Sequence, residues 1–88
     1  MTLKVEQYVH GRKTIICLSG RLQSNDLDEL EAHLAGAQPQ IALDLNGVTL
    51  VDVESVQFLN GCEEKGIELL HCRPYIQEWM VREKGWKG

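Results

Sequence analysis

The chain has 88 residues, of which 43% are hydrophobic and 25% are charged, and its formal net charge is −4. This length predicts a single domain, residues 1–88, with a modest core. The acidic balance gives no electrostatic reason to approach nucleic acid or an anionic membrane, and it argues against non-specific binding to either.

No segment of the chain has the character of a membrane span or an export signal. Its apolar runs are shorter than the roughly 20 residues that cross a bilayer, and "MTLKVEQ" leads into no apolar signal segment. The cysteines, Cys17, Cys62 and Cys72, are odd in number and irregularly spaced, which argues against a disulfide framework. We therefore expect a cytoplasmic protein without direct membrane insertion.

The first 20 residues predict a β-hairpin. Leu3, Val5 and Val9 alternate with polar residues in a first strand, and "HGRK" is a turn. The β-branched run "TIICLSG" predicts the second strand.

A helix follows in "SNDLDELEAHLAG", because leucines recur at helical spacing from Leu27 to Leu34. Either Ser24 or Asn25 is the expected N-cap, and Gly36 is the expected stop.

The third strand is predicted in "PQIALDLNGV", which places Ile41, Leu43 and Leu45 on one face. We interpret the "NG" pair, residues 46–47, as a turn, after which "VTLV" leads to Asp52.

The second helix is predicted to run from about residue 53 to residue 64. One face carries residues at helical spacing: Ser55, Phe58, Leu59 and Cys62. A fourth strand, "IELLHC", precedes a last helix, "PYIQEWMV", with Pro74 in its first turn. The predicted apolar stripe of that helix comprises Tyr75, Ile76, Trp79 and Met80, and residues 82–88, with Trp86, are predicted to form a polar tail.

The predicted order is β-β-α-β-α-β-α, an α/β domain whose later strands are largely parallel and joined by right-handed crossovers. The chain shows neither C-x-x-C nor H-x-x-x-H spacing, and adjacent strand residues such as His71 and Cys72 point to opposite faces. No phosphate-binding loop or set of nucleophile, base and oxyanion donors is present. We therefore expect no metal, no cofactor and no enzymatic activity.

The element order and three sequence blocks resemble the STAS domain, the fold of anti-sigma factor antagonists and sulfate transporter tails. The blocks are "LSGRL" (18–22), "IALDLNGVTLVD" (41–52) and "GIELL" (66–70), and the resemblance covers roughly residues 3–72. It implies a mixed four-stranded sheet with helices packed on one face. It also implies a protein partner bound through the start of the second helix and the loop of residues 20–23.

In that family, the position two residues after the second aspartate is typically a serine that an anti-sigma factor kinase phosphorylates, and phosphorylation blocks binding. Aligned on Asp52, Val53 and Glu54 take the places of two serines, and Ser55 takes the place of a glycine. Gln23 also stands where many members carry an aspartate. The resemblance thus implies a partner-binding set (Gly20, Arg21, Gln23, Asp52, Val53, Glu54 and Ser55) without the usual phosphorylation site.

Two interpretations of Glu54 remain open. It is either a favourable residue for the start of a helix, or a permanent charge on the partner-binding surface. The rotation of one helical residue turns Ser55 toward the apolar face, where we expect a structural role. The partner is an anti-sigma factor or, alternatively, a transporter subunit of the ABC lipid-trafficking type, and the sequence leaves the oligomeric state open.

Overall fold

A computed structural model describes residues 3–35 and 40–86, with side chains as far as residue 84. The elements are β1 (Lys4–His10), β2 (Lys13–Leu22), a 3-10 turn (Ser24–Asp26), α1 (Leu27–Ala35), β3 (Gln40–Val51), α2 (Val53–Glu64), β4 (Glu68–Leu70) and α3 (Pro74–Trp86). The predicted order of strands and helices is confirmed.

The four strands form one mixed sheet in the order β1-β2-β3-β4. The β1–β2 hairpin is antiparallel, and β3 is parallel to both of its neighbours. Two successive right-handed crossovers in the same direction place α1 and α2 on the same face of the sheet. The predicted four-stranded α/β fold is therefore confirmed.

The core lies between the sheet and the three helices. Its fully buried members include Ile16, Leu18, Leu43 and Leu45 from the sheet, with Leu30 of α1, Val56 and Leu59 of α2, and Ile76 of α3. Each large apolar side chain of this kind contributes roughly 1.5–3 kcal/mol through its burial.

The opposite face of the sheet carries ion pairs and a hydrogen bond between His71 and Asp44. Lys13 Nζ lies 2.7 Å from Glu68 Oε1, and His71 Nδ1 lies 3.1 Å from Asp44 Oδ1. A second ion pair lies within β1. Exposed pairs add little stability, about 0–1 kcal/mol each, but they leave this face with charges matched by neighbours.

The "NG" pair is not a turn, and the prediction of one was wrong. Cys17 pairs with Asp44 but Ser19 pairs with Gly47, so β3 carries one extra residue here and forms a bulge. The Asp44 carboxylate accepts a hydrogen bond of 3.0 Å from the N–H of Asn46, within the bulged segment. The strand therefore continues through the pair, and a second bulge of the same kind follows.

Replacing Gly47 with alanine is expected to destabilise the protein by about 1–2 kcal/mol through overpacking. A Cβ atom at this position would lie 2.6 Å from Ser19 Cβ, so β2 and β3 would have to move apart. Urea unfolding measures the change. The control is Gly61→Ala in α2, where a new Cβ meets nothing within 4 Å and helix propensity favours alanine by about 1 kcal/mol. Equal stability of the two variants would contradict the prediction.

The helical segment that contains α1 begins differently from the prediction. The expected cap was Ser24 or Asn25, but Gln23 precedes a 3-10 turn, and its N–H donates to Asp26 Oδ2 at 3.0 Å. The turn forms because Asp26 satisfies that N–H at the end of β2. The predicted stop at Gly36 lies outside the described residues.

The last helix is longer than predicted. It runs to Trp86, so residues 82–86 are not a polar tail. Its polar residues contact α2, because Gln57 Nε2 donates to Glu83 Oε1 at 3.1 Å and Lys84 Nζ donates to Glu63 Oε1 at 3.0 Å. The side chain of Trp86, whose role the sequence left open, lies outside the described part of the chain.

Candidate functional site

The start of α2 and the loop after β2 meet at the carboxyl end of the central strands. Asp52 is the N-cap of α2, and its Oδ1 accepts the N–H of Ser55 at 2.9 Å. Its Oδ2 accepts the N–H of Ser24 at 2.9 Å, across 28 residues of sequence. One carboxylate therefore joins two segments that the resemblance placed at the same edge.

The environment of Asp52 favours its charged form. Partial burial alone would raise the pKa of this carboxyl, but the hydrogen bonds from Ser55 and Ser24 outweigh burial and lower the pKa below its usual value. The carboxylate is consequently ionised at neutral pH and available as a double acceptor.

Glu54 occupies the second helical position and is exposed. At that position a carboxylate lies near the free N–H groups of the first turn, which stabilises the helix by about 0.3–1 kcal/mol. Val53 precedes it at the first helical position, with 43% of its surface exposed. The side chains of both residues are therefore presented to solvent beside Asp52.

Ser55 faces the interior, as the helical rotation predicted. It is 0% exposed, and its hydroxyl donates a hydrogen bond of 2.9 Å to the carbonyl oxygen of Leu22. This contact fastens α2 to the end of β2. A hydroxyl in this position has no access to a modifying enzyme unless the helix start moves.

The loop beside α2 is shaped by Gly20, whose φ of 95° lies in the left-handed region that favours glycine. Its carbonyl accepts the hydroxyl of Thr49 at 3.1 Å, which links the loop to β3. Arg21 is exposed and pairs in register with Leu50, and Gln23 is half-buried at the start of the 3-10 turn. All seven residues predicted for the site therefore lie at one end of the sheet.

Sequence reasoning missed two residues that hold this end of β3 in place. Arg73 donates from Nε to the carbonyl of Val48 at 2.9 Å and from Nη2 to that of Asn46 at 3.1 Å. The Tyr75 hydroxyl donates to the carbonyl of Thr49 at 2.9 Å. The short β4 pairs with only the first part of β3. Past that point, side-chain donors form hydrogen bonds with the carbonyl groups on the free edge of β3.

The position of Tyr75 corrects its predicted role. It was assigned to the buried stripe of the last helix, but 45% of its surface is exposed, whereas Ile76 and Met80 are buried. No sequence pattern distinguishes a tyrosine that packs in a core from one whose hydroxyl reaches a strand.

The cysteines are poor nucleophiles in this structure. Burial raises the pKa of Cys62 to about 11, and burial followed by the charge of Asp44 raises the pKa of Cys17. Burial likewise raises the pKa of Cys72. Within residues 3–35 and 40–86, no group of three His, Cys, Asp or Glu side chains is arranged to hold a metal ion.

The described helices include none that combines the length and apolar character needed to cross a membrane. No protein-family model matches the sequence, and no curated protein matches it.

Solved structures do resemble the chain. The antisigma-factor antagonist STAS domain from Rhodobacter sphaeroides is 19% identical, with a TM-score of 0.63, over 78% of this chain and 86% of that one. The anti-sigma factor antagonist SpoIIAA in its unphosphorylated form is 18% identical, with a TM-score of 0.66, over 88% of this chain and 79% of that one. The described chain therefore has the fold of a STAS domain.

Proposed function

We propose that this protein is a non-enzymatic regulator that binds a protein partner of the anti-sigma factor or kinase-like type. Binding uses the helix-start surface, which we define as Gly20, Arg21, Gln23, Asp52, Val53 and Glu54. Ser55, which the resemblance also implied, is buried beneath this surface and supports it without contacting the partner. The observation that carries the proposal is the double acceptor at Asp52, which holds the exposed Glu54 at the family's phosphorylation position. Two solved structures of similar fold are anti-sigma factor antagonists, which supports this choice of partner.

The surface is not regulated by phosphorylation at the usual position. A glutamate carries one charge and two oxygens, whereas a phosphoserine carries about two charges and three acceptor oxygens, so Glu54 resembles the phosphorylated form only in part. The neighbouring hydroxyl of Ser55 is buried and bonded to Leu22. The charge at position 54 is therefore constant, and phosphorylation of neither Glu54 nor Ser55 regulates the affinity for the partner.

The same observation favours a second candidate function, an adaptor subunit of a membrane transporter of the ABC lipid-trafficking type. Such an adaptor would dock on a transporter subunit and need no phosphorylation. The carboxylate at position 54 and the buried hydroxyl at position 55 fit that requirement.

Capture of the tagged protein's partner from cells of its source organism, followed by mass spectrometry, tests the proposal. A kinase-like anti-sigma factor supports the first function and a transporter subunit supports the second. We expect Glu54→Ala to change the affinity for the purified partner by roughly three- to tenfold, because an interface charge is removed.

The matched control is Glu29→Ala, which removes an exposed carboxylate from the first turn of α1. It should leave the affinity unchanged. If Glu54→Ala, Glu54→Ser and the wild type bind equally well, Glu54 lies outside the interface.

A further inference from the structure

The two edges of the sheet differ in how they are protected. On one side the outermost strand, β4, is only 3 residues long, and Arg73 and Tyr75 bond to carbonyl groups of β3 past its end. On the other side β1 is 7 residues long. Among the described residues, no loop or side chain forms a hydrogen bond with the outer backbone groups of β1. A long open edge strand of this kind is a template for pairing with another strand.

The hairpin turn determines which backbone groups of β1 face outward. His10 pairs with Lys13 across a two-residue turn whose first residue, Gly11, has a φ of 66°. Such a turn is closed by hydrogen bonds between the two flanking residues. Because hydrogen-bonded and non-hydrogen-bonded pairs alternate along an antiparallel ladder, the even-numbered residues of β1 bond to β2. The N–H and C=O groups of Val5 and Gln7 therefore point outward, away from β2.

The side chains along this edge alternate between the two faces of the sheet. Leu3 and Val5 pack against the core on the helix face. Lys4 and Glu6 lie on the open face, which the helices leave uncovered, with side chains 71% and 67% exposed and 3.6 Å between the charged groups. Charged side chains on an edge strand discourage pairing with an arbitrary strand, because such a strand does not match them. A matching antiparallel strand must present an acidic side chain opposite Lys4 and a basic one opposite Glu6.

We propose that β1 pairs with β1 of a second copy of this chain, in an antiparallel register centred on Val5. This register places Lys4 opposite Glu6 of the second copy and Glu6 opposite Lys4 of the second copy, so the charges on the open face are complementary. These are non-hydrogen-bonded positions, where opposed side chains approach most closely. On the helix face Val5 meets its own copy, which extends the apolar contact across the boundary between the two chains.

The charges argue against the other registers that align a comparable length of strand. A pairing centred on Glu6 would place two glutamates opposite each other, which is destabilising. One centred on Gln7 would place Lys4 opposite His10. It would also place Glu6 opposite Tyr8, so neither charge would be matched. The self-complementary pattern of β1 therefore selects both the occupant of the edge and the register.

A two-fold axis perpendicular to the sheet relates the two copies, so one sheet continues through both chains and the helices of both lie on the same face. Because the strands of the two copies run in opposite directions, the two helix-start surfaces lie at opposite ends of this sheet. The paired residues 3–7 include no member of the helix-start surface, so the inference does not depend on the partner that binds there. The contact is small, and we expect a weak dimer that forms at about 0.1–1 mM.

Sedimentation equilibrium of the full chain at low salt, at concentrations up to about 1 mM, tests the inference. Lys4→Glu and Glu6→Lys should each weaken self-association at least about tenfold, because each change sets like charges opposite each other twice. An equimolar mixture of these two variants should associate about as tightly as wild type, since one chain then presents two glutamates and the other two lysines. Gln7→Pro removes an outward N–H but no bond to β2, and it should abolish association.

Matched controls are Lys65→Glu and Glu64→Lys, which make the same charge changes at exposed positions at the end of α2 and should alter association less than about twofold. Net charge alone predicts tighter association for Glu6→Lys, because this change brings the formal net charge of −4 closer to zero.

Circular dichroism verifies that each variant is folded. A wild-type chain that stays monomeric up to about 1 mM would overturn the inference, since the edge would then be left to another molecule or to none. Tighter association of Glu6→Lys, or a mixture that forms no heterodimer, would overturn it as well. Charge variants that associate like wild type would show that the chains meet in another register or through another surface.

Discussion

Replacing Ser55 with aspartate is expected to destabilise the protein by about 3–5 kcal/mol, because it places a carboxylate at a fully buried position. The substitution also removes the donor of the 2.9 Å bond to the carbonyl of Leu22. Urea unfolding followed by circular dichroism measures the loss. A phosphate on this hydroxyl would carry more charge than the aspartate, so the same physics opposes phosphorylation of the folded protein.

Two companion variants isolate the cause. Ser55→Ala removes only the hydrogen bond and should cost about 1–3 kcal/mol, since it leaves a buried carbonyl without that partner. Glu54→Asp, one residue away on the exposed side, should change stability by less than about 0.5 kcal/mol. Near wild-type stability of Ser55→Asp would mean that the start of α2 opens readily, and it would restore this hydroxyl as a possible modification site.

Replacing Asp52 with alanine is expected to cost about 2 kcal/mol. Loss of the N-cap bond to Ser55 accounts for about 1 kcal/mol, and loss of the bond to Ser24 accounts for about as much again. Asp52→Asn keeps one side-chain oxygen as an acceptor and should cost about half of this. Asp28→Ala, which removes an exposed carboxylate from the first turn of α1, should cost less than about 1 kcal/mol.

Acid titration provides an independent check on Asp52. Its pKa in the folded protein lies below the unfolded value of about 3.9, so the unfolded chain binds the proton more tightly. The stabilisation is therefore complete above that value and is lost as the pH falls through the lower, folded pKa. The stability difference between wild type and Asp52→Ala should shrink below about pH 4, and a difference that stays constant down to pH 2 would contradict the assigned contacts.

Local features of the sequence were sufficient to predict the start of α2. A cap, a favourable carboxylate and an inward serine depend on residues within one turn, so Asp52, Glu54 and Ser55 were placed correctly relative to the helix axis. The order of strands and helices along the chain, and the parallel pairing of the later strands, followed from the alternation of elements. Whether these residues bind a partner is a separate question, which only the binding experiments address.

Long-range features could not be predicted from the sequence. The bulge between Asp44 and Gly47 places two residues of β3 opposite one residue of β2, and the sequence of neither strand alone carries that information. Leu50 consequently remained an ordinary strand residue in the sequence, although it is half exposed beside Arg21. Tyr75 was assigned to a stripe for the same reason, since its acceptor is 26 residues away.

The contacts from Arg73 and Tyr75 to β3 give the start of the last helix, and the residue that precedes it, a protective role. Strand carbonyls that these side chains occupy are the groups with which an extended segment of another molecule would pair. A chain cleaved before position 73 would lose both donors and leave the outer edge of β3 open over its bulged half. Proteolysis in this short connection would thus convert a protected sheet edge into a template for aggregation.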